Sequence, residues 1–172
     1  GSIQNTATIT VPYEHEEMTE VTSLVGQGVQ DVWATPLNAF FRTSDDRTMG
    51  FGSNYDGSLG LLGSTSPQND PVNLPAWDVD GPIVMMVGGY YPQQSRYTLA
   101  LTSGGKVLGA GAAAYVGMSN WNDQVTEITS LGSNNVFISA SKGGFGVVQE
   151  EPGGGRTCKV IGDACGGGAP GC

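Results

Sequence analysis

The chain has 172 residues and a mass of 17.8 kDa, which suits one domain with or without a tail. Its 16 carboxylates outweigh 7 Lys and Arg, and the formal net charge of −9 repels nucleic acid phosphates and anionic membranes. We therefore expect no nucleic acid partner. Hydrophobic residues reach 38% and recur in patterned runs, which argues against intrinsic disorder, while no apolar stretch is long enough to span a membrane.

The 28 glycines indicate many tight turns and therefore many short strands. Polar and apolar residues alternate from Thr6 to Val11 and predict a first strand, which an acidic segment follows. Eight further strands are predicted at Val29–Trp33, Ala39–Thr43, Thr48–Gly52, Ile83–Val87, Thr98–Thr102, Lys106–Ala110, Asn135–Ser139 and Phe145–Gln149. No segment keeps a helical apolar period over about ten residues. This pattern predicts an all-β sandwich, barrel or propeller.

Two hairpins repeat along the chain. Residues 40–52 and 99–111 each contain an apolar strand, a Thr-Ser pair, a two-residue turn, a basic residue and a strand that ends in Gly-x-Gly. Asp45-Asp46 and Gly104-Gly105 suit such turns, because Asp and Gly tolerate positive φ better than bulky residues do. The repeat indicates that the chain is built from units of similar structure.

A second repeat sets the length of this unit. Met18–Leu24 matches Val125–Leu131, and Pro71–Pro75 is a looser copy that lies between them. The copies recur a little over ~50 residues apart, close to the 40–50 residues of one four-stranded propeller blade. Of the three all-β architectures, the propeller therefore fits best.

Longer segments resemble a known repeat. Tyr97–Val107 is similar to a hairpin of the form His-Thr-Leu-Ala-Leu-Thr-x-x-Gly-x-Val. Phe51–Gly60 is similar to Trp-Gly-x-Asn-x-x-Gly-Gln-Leu-Gly, and the strand residues Pro71-Val72 follow it. Val136–Val148 is a third, partial copy of the hairpin. These motifs resemble the repeats of the regulator of chromosome condensation family, whose proteins are β-propellers.

The resemblance covers residues 18–150 and implies antiparallel blades in an incomplete ring or arc, since the family's propellers usually close with seven blades. An N-terminal segment, residues 1–17, and a Gly- and Cys-rich tail, residues 151–172, flank these repeats. An open arc leaves sheet faces uncovered, so the chain is a fragment of a longer one, assembles from several copies, or has another all-β fold. The strand Thr6–Val11 belongs to its own sheet or to that of a neighbouring copy.

The sequence does not indicate a catalytic or metal site. His15 is the one histidine, no Gly-x-Ser-x-Gly elbow is present, and strand geometry places Glu14 and Glu16 on the face opposite His15. Residues 78–81 are similar to the start of a calcium loop, but the later oxygen ligands are missing and a turn is predicted instead. We expect no cofactor, no metal and no enzymatic activity.

Aromatic residues among polar neighbours are the best binding candidates. Such residues suit recognition of proteins or carbohydrates, and core packing is the alternative for each. The candidates are Trp121, Tyr90, Tyr91, Trp77 and Asn120. They favour a non-enzymatic repeat scaffold that assembles with itself, as an oligomer or filament, or binds a protein partner through blade edges and aromatic loops. The alternatives are a secreted carbohydrate-binding module and an enzyme with two convergent carboxylates.

All three cysteines, Cys158, Cys165 and Cys172, lie in the tail. Their even spacing permits either local disulfide and is wider than the Cys-x-x-Cys spacing of zinc sites. Pairing two of them leaves a third, which could link two chains. A disulfide-bearing tail fits an oxidising compartment, so we expect an extracellular or secreted protein.

Thiol titration tests whether the tail cysteines are oxidised. Their clustering predicts that the unreduced, denatured chain exposes one reactive thiol, or none if the third cysteine links two chains. Reduction should raise the count to the full three. Three thiols before reduction would contradict the predicted disulfide.

Overall fold

The computed structural model of the chain describes residues 21–64, 66–91, 95–112, 122–141 and 144–162. These residues form antiparallel sheets joined by short 3₁₀ helices, which confirms the predicted all-β fold of antiparallel blades. The first sheet contains β1 (Val29–Ala34), β2 (Asn38–Thr43), β3 (Thr48–Gly52) and β4 (Gln68–Asn73). The second contains β5 (Ile83–Tyr91), β6 (Ser95–Thr102), β7 (Val107–Gly111) and β8 (Asn122–Glu127). The third, over the same described ranges, contains β9 (Asn135–Ala140), β10 (Gly144–Glu150) and β11 (Arg156–Gly162).

All eight strands predicted between residues 29 and 149 are present, with boundaries that shift by up to four residues. The sequence pattern misses β8 and β11, and it identifies β4 only through Pro71-Val72. Arg156–Gly162, which the sequence pattern places in the tail, form β11 and pair with β10 along its whole length. The predicted strand Thr6–Val11 lies outside the described residues. Among those residues, no helix has the length and apolar character that crossing a membrane requires.

The hairpin turns contain one residue more than predicted. Thr43 N donates to Arg47 O at 3.0 Å and Asp46 N donates to Thr43 O at 2.9 Å, so the loop has three residues rather than two. The second hairpin repeats both bonds at 3.0 Å, with Thr102 in the place of Thr43. The last loop residue has a positive φ, 60° at Asp46 and 79° at Gly105. Asp and Gly suit this left-handed position, so the residue types are explained even though the predicted turn was too short.

The third copy of the hairpin has a different place in its sheet. Val136–Val148 forms β9 and β10, which are the first two strands of the third sheet. Residues 40–52 and 99–111 instead form the second and third strands of their sheets. Apolar alternation is the same in all of these strands, so the sequence pattern alone does not distinguish the two positions.

A one-turn 3₁₀ helix precedes each sheet, at Thr22–Leu24, Pro75–Trp77 and Thr129–Leu131. The last residue of each helix is buried, and its N–H donates to the carbonyl of the apolar residue three positions earlier at 3.0–3.1 Å. The first and last of these helices are the final three residues of the copies Met18–Leu24 and Val125–Leu131, and the middle helix begins at Pro75, where the loose copy ends. That repeat therefore encodes the element that closes one sheet and leads into the next.

Each first strand contains one extra residue. The register with the second strand shifts around Gln30 in β1, Val84 in β5 and Val136 in β9, and all three side chains are exposed. Such β-bulges are positioned features rather than defects. Because the bulges coincide, Phe137 in β9 is equivalent to Met85 in β5.

Apolar layers between the sheets form the core. The layer between the first and second sheets contains Phe40, Leu59, Leu74, Trp77, Ile83, Met86, Ala100, Leu108 and Ala110. The layer between the second and third sheets contains Tyr97, Leu99, Leu101, Val107, Ile128, Leu131, Ile138, Phe145 and Val147. The second sheet is therefore covered on both faces.

Trp77 is the largest side chain in the first of these layers. It is completely buried, and its ring meets Phe40 edge to face with 6.1 Å between ring centres. Its Nε1 donates to Leu59 O at 2.8 Å, which satisfies the polar group that burial would otherwise leave unpaired. Trp77 thus connects the first sheet, the second sheet and the loop that follows β3.

Truncation of Trp77 should destabilise the fold strongly. We expect Trp77→Ala to lower the free energy of unfolding by about 3–5 kcal/mol through the cavity that it leaves. Trp77→Phe should lose about 1–3 kcal/mol, because the Leu59 carbonyl stays buried without its donor. Urea unfolding measures both, with Leu62→Ala as the control, since Leu62 is 69% exposed in the same loop. A loss below about 1 kcal/mol for Trp77→Ala would contradict this account of the core.

Candidate interaction site

The loop after β3 is held together by a buried asparagine. Asn54 is completely buried, its Oδ1 accepts a hydrogen bond from Leu59 N at 3.0 Å, and its Nδ2 donates to Leu61 O at 3.2 Å. A side chain thus supplies the hydrogen bonds that a strand ladder supplies elsewhere. The bonds fix Leu59 in the core, where its carbonyl meets Trp77.

Gly60 brings this loop close to the second sheet. Its φ is +77°, and a Cβ atom on it would lie 2.5 Å from Val125 Cγ2 and 2.8 Å from Trp77 Nε1. A larger residue would therefore push the loop off the sheet. Asn54 and Gly60, two of the fixed positions of the family-like motif, are structural for these reasons, while its three variable positions hold Ser53, Tyr55 and Asp56.

Arg96 joins the loop to the second sheet. It lies in β6 directly opposite Tyr90 of β5. Its guanidinium carbon is 5.4 Å from the centre of the Tyr55 ring and 5.8 Å from the centre of the Tyr90 ring, within cation–π range for both. Its Nη1 donates to Ser53 Oγ at 3.0 Å, and its Nε lies 3.9 Å from Asp56 Oδ2. We call these five residues the Tyr55–Arg96 cluster.

The cluster presents aromatic rings and a cation to solvent. Tyr55 is 70% exposed and Tyr90 is 37% exposed, and the Arg96 side chain keeps 28% of its surface accessible. An arginine held by two rings and a serine is already oriented, so a ligand need not immobilise it. This composition, with tyrosine and arginine together on a rigid surface, is typical of binding hot spots.

Asp56 is the member of the cluster whose negative charge costs free energy in the folded state. Its side chain is 11% exposed, and burial raises the pKa of its carboxyl above the ordinary value. The Arg96 charge and the Arg96 backbone N–H act in the opposite direction but do not cancel this effect. Ionisation of Asp56 is therefore less favourable in the folded state than in the unfolded chain. Groups with shifted pKa values are concentrated at functional sites, so Asp56 beside exposed aromatic rings supports a functional role for the cluster.

The structure places the predicted binding residues in different environments. Tyr90 belongs to the cluster. The prediction that Trp77 contacts a ligand is corrected, because its side chain is completely buried and packs in the core. Tyr91 ends β5, but its side chain lies outside the described part of the structure, as do Asn120 and Trp121. These three residues stay predictions.

Cys158 lies in β11 with its side chain exposed. Cys165, Cys172 and His15 lie outside the described residues, so the disulfide stays a prediction. Across the described ranges, no three His, Cys, Asp or Glu side chains are grouped as a metal site would require.

The acidic turn at residues 78–81 bonds to protein groups. Asp78 Oδ1 accepts from Thr48 N at 3.0 Å, and Asp80 Oδ1 accepts from Lys106 Nζ at 3.0 Å. Lys106 Nζ also lies 3.0 Å from Glu127 Oε2. These carboxylates therefore hold the segment before β5 to the hairpin of the first sheet through Thr48, and to the hairpin of its own sheet through Lys106, which is a structural role.

Sequence reasoning missed Tyr55 and Arg96. The segment around Tyr55 was explained as part of the repeat, and Arg96 directly precedes the hairpin motif at Tyr97–Val107 without belonging to it. The available signal was the three variable positions of the motif, at residues 53, 55 and 56, because residues that the loop does not need are free to serve another purpose.

Solved structures share the fold of this chain. Human WBSCR16 matches with a TM-score of 0.61 and 16% identity, over 79% of this chain and 34% of that protein. Prp20p from Saccharomyces cerevisiae matches with a TM-score of 0.58 and 14% identity, over 77% and 33%. Yeast RCC1 (Prp20) bound to Kap60 matches with a TM-score of 0.58 and 14% identity, over 77% and 32%. The chain spans about a third of the length of these structures.

These neighbours are β-propellers of the regulator of chromosome condensation family, so the resemblance is confirmed at the level of the fold. At 14–16% identity the likeness shows the fold and not the function. No protein-family profile and no curated protein sequence matches the chain.

Neutralising Asp56 should stabilise the protein at neutral pH. The folded state raises the pKa of this carboxyl, so its ionised form costs stability at pH 7, and this cost disappears as the pH falls through the raised pKa. We expect Asp56→Asn to raise the melting temperature at pH 7. The difference from wild type should shrink at about pH 3, below the ordinary carboxyl pKa. A destabilised Asp56→Asn variant at pH 7 would show instead that attraction to Arg96 outweighs burial.

Proposed function

We propose that this chain is a non-enzymatic scaffold of propeller blades that binds a protein partner or assembles with copies of itself. The observation that carries partner binding is the Tyr55–Arg96 cluster. Truncation of tyrosine and arginine costs more binding energy at protein interfaces than truncation of most other residues. Strand pairing and loop hydrogen bonds already position both rings and the guanidinium, so their ordering costs little on association.

The solved structures with this fold support the same class of function. Prp20p has binding properties to Gsp1p and histones, and yeast RCC1 has been solved bound to Kap60. We extend only the class, binding of a protein, to this chain, because identity is low and coverage is about a third. The net charge of −9 favours a protein surface of opposite sign over nucleic acid.

Binding is favoured over catalysis by the chemistry of the cluster. Glycoside hydrolysis uses two carboxyl groups on either side of the scissile bond. The Tyr55–Arg96 cluster has one, Asp56, and its neighbours are a guanidinium and two phenol rings. This set can stack, donate and accept hydrogen bonds, which are the requirements of recognition.

A second candidate is the secreted carbohydrate-binding module, and Tyr55 is the observation that favours it. A ring that is 70% exposed, with a carboxylate and a guanidinium nearby, suits stacking on a sugar together with hydrogen bonds to its hydroxyls. An extracellular location belongs to this proposal as well, and it rests on the cysteines near the C-terminus.

Site-specific crosslinking tests partner binding at the cluster. A photoreactive phenylalanine derivative at position 55 should form adducts with a protein in extracts of the source cells. Arg96→Ala should weaken binding of that protein about 30-fold, which corresponds to a hot-spot loss of about 2 kcal/mol.

The matched control places the same photoreactive group at Leu62, which is 69% exposed in the same loop. Adducts that appear at position 55 but not at 62 support the proposal. Identical adducts at both positions, or none at 55, contradict it. Binding of immobilised neutral glycans that is lost in Tyr55→Ala would favour the carbohydrate module instead.

A further inference from the structure

The third sheet has an exposed apolar face. In the register of its strands, Phe137 pairs with Val148 and Val148 pairs with Cys158, so the three side chains form a row on one face. Phe137 is 47% exposed and Val148 is half-buried. Val160, two residues beyond Cys158 on the same face, is 45% exposed. We call this surface the Phe137 face.

The second sheet has the equivalent row, and there it is covered. Met85 pairs with Leu101 and Leu101 pairs with Val107, one residue after the bulge at Val84. Leu101 and Val107 are buried in the layer that packs against the third sheet, and Met85 is partly buried against it. The row at Phe137 also begins one residue after a bulge, at Val136. In the second sheet, the equivalent face packs against the following sheet. The Phe137 face is therefore the face of the third sheet on which a following blade would pack.

In a second copy, the face of the first sheet that could continue the stacking of sheets is already buried. In a head-to-tail arrangement this face, opposite the one that packs on the second sheet, would pack on the Phe137 face. It contains Phe41, Met49 and Phe51, and none of them is more than 8% exposed. A head-to-tail continuation, with the first sheet of a second copy packed on the Phe137 face, would have to uncover these side chains. The Phe137 face of the second copy is the blade face that is accessible without such a rearrangement.

We infer that two copies of this chain pack their Phe137 faces against each other across a two-fold axis. This inference rests on the self-assembly proposed above and names the surface responsible. A two-fold interface uses the same patch twice, so each Phe137 needs a depression on the partner. Ser139 and Gly146, the neighbouring register pair on this face, supply small side chains beside the exposed ring. Sheets that face each other pack about 10 Å apart, which suits such an arrangement.

The size of the face predicts a weak dimer. Three strands about 4.8 Å apart, with about six residues of 3.3 Å each, present roughly 300 Å² of sheet plane per copy. Stable interfaces bury about 800 Å² per partner. The dimer should therefore form at concentrations of about 10–500 µM rather than at nanomolar levels.

Sedimentation equilibrium of the full chain over this concentration range tests the inference. In reductant, the weight-average mass should rise from 17.8 kDa towards twice that value. Phe137→Asp should keep the mass at one chain throughout, because each copy would bury an unpaired carboxylate in the interface. Leu62→Asp adds the same charge at another exposed apolar side chain and should dimerise like wild type.

Three outcomes overturn the inference: a wild-type mass of one chain at the highest concentration, a Phe137→Asp variant that still dimerises, or a larger mass that disappears on reduction. Should Phe137→Asp lose its β-sheet circular dichroism, Val160→Asp gives the same test at a second exposed position of the face. Crosslinking at position 55 is measured in dilute extract, so failure of the dimer and failure of partner binding are distinguishable.

Discussion

Each sheet of this chain presents apolar side chains on both faces, and three or four strands cannot cover either face by themselves. The second sheet meets this requirement with a neighbour on each side. Trp77 and Leu59 fill the space between the first and second sheets, and Leu59 belongs to the loop after β3. Stability is therefore shared between adjacent sheets, as in other repeat folds where each unit contacts only its neighbours.

The exposed cluster is a product of the same packing. Because Asn54 holds the loop together and Gly60 lets it lie close to the second sheet, Tyr55 is carried on a rigid support. Pairing of β5 with β6 then places Tyr90 and Arg96 beside it. Residues that vary on a fixed scaffold are the usual location of binding function.

Local patterns were sufficient for most strands and insufficient for contacts between them. The hairpins at residues 40–52 and 99–111 could be predicted because alternation and turn residues are local signals. β4 contains Pro71 and polar neighbours, which an outer strand tolerates and a pattern search rejects. β11 alternates polar and apolar residues only from Thr157 to Val160, and the glycines before it favoured a linker. Pairing with β10 determines its structure. Trp77 and Arg96 differ in burial because of partners far along the chain, and sequence spacing does not reveal such partners.

The extra residue in each first strand has a practical consequence. Gln30, Val84 and Val136 occupy equivalent places in successive sheets, with exposed side chains. Since a bulged residue stands outside the regular ladder, its side chain can be exchanged with little effect on the pairs around it. Fluorescent labels at positions 84 and 136 would form a molecular ruler across the junction of the second and third sheets. Contact-dependent quenching between the two labels would report whether the second and third sheets separate when a partner binds.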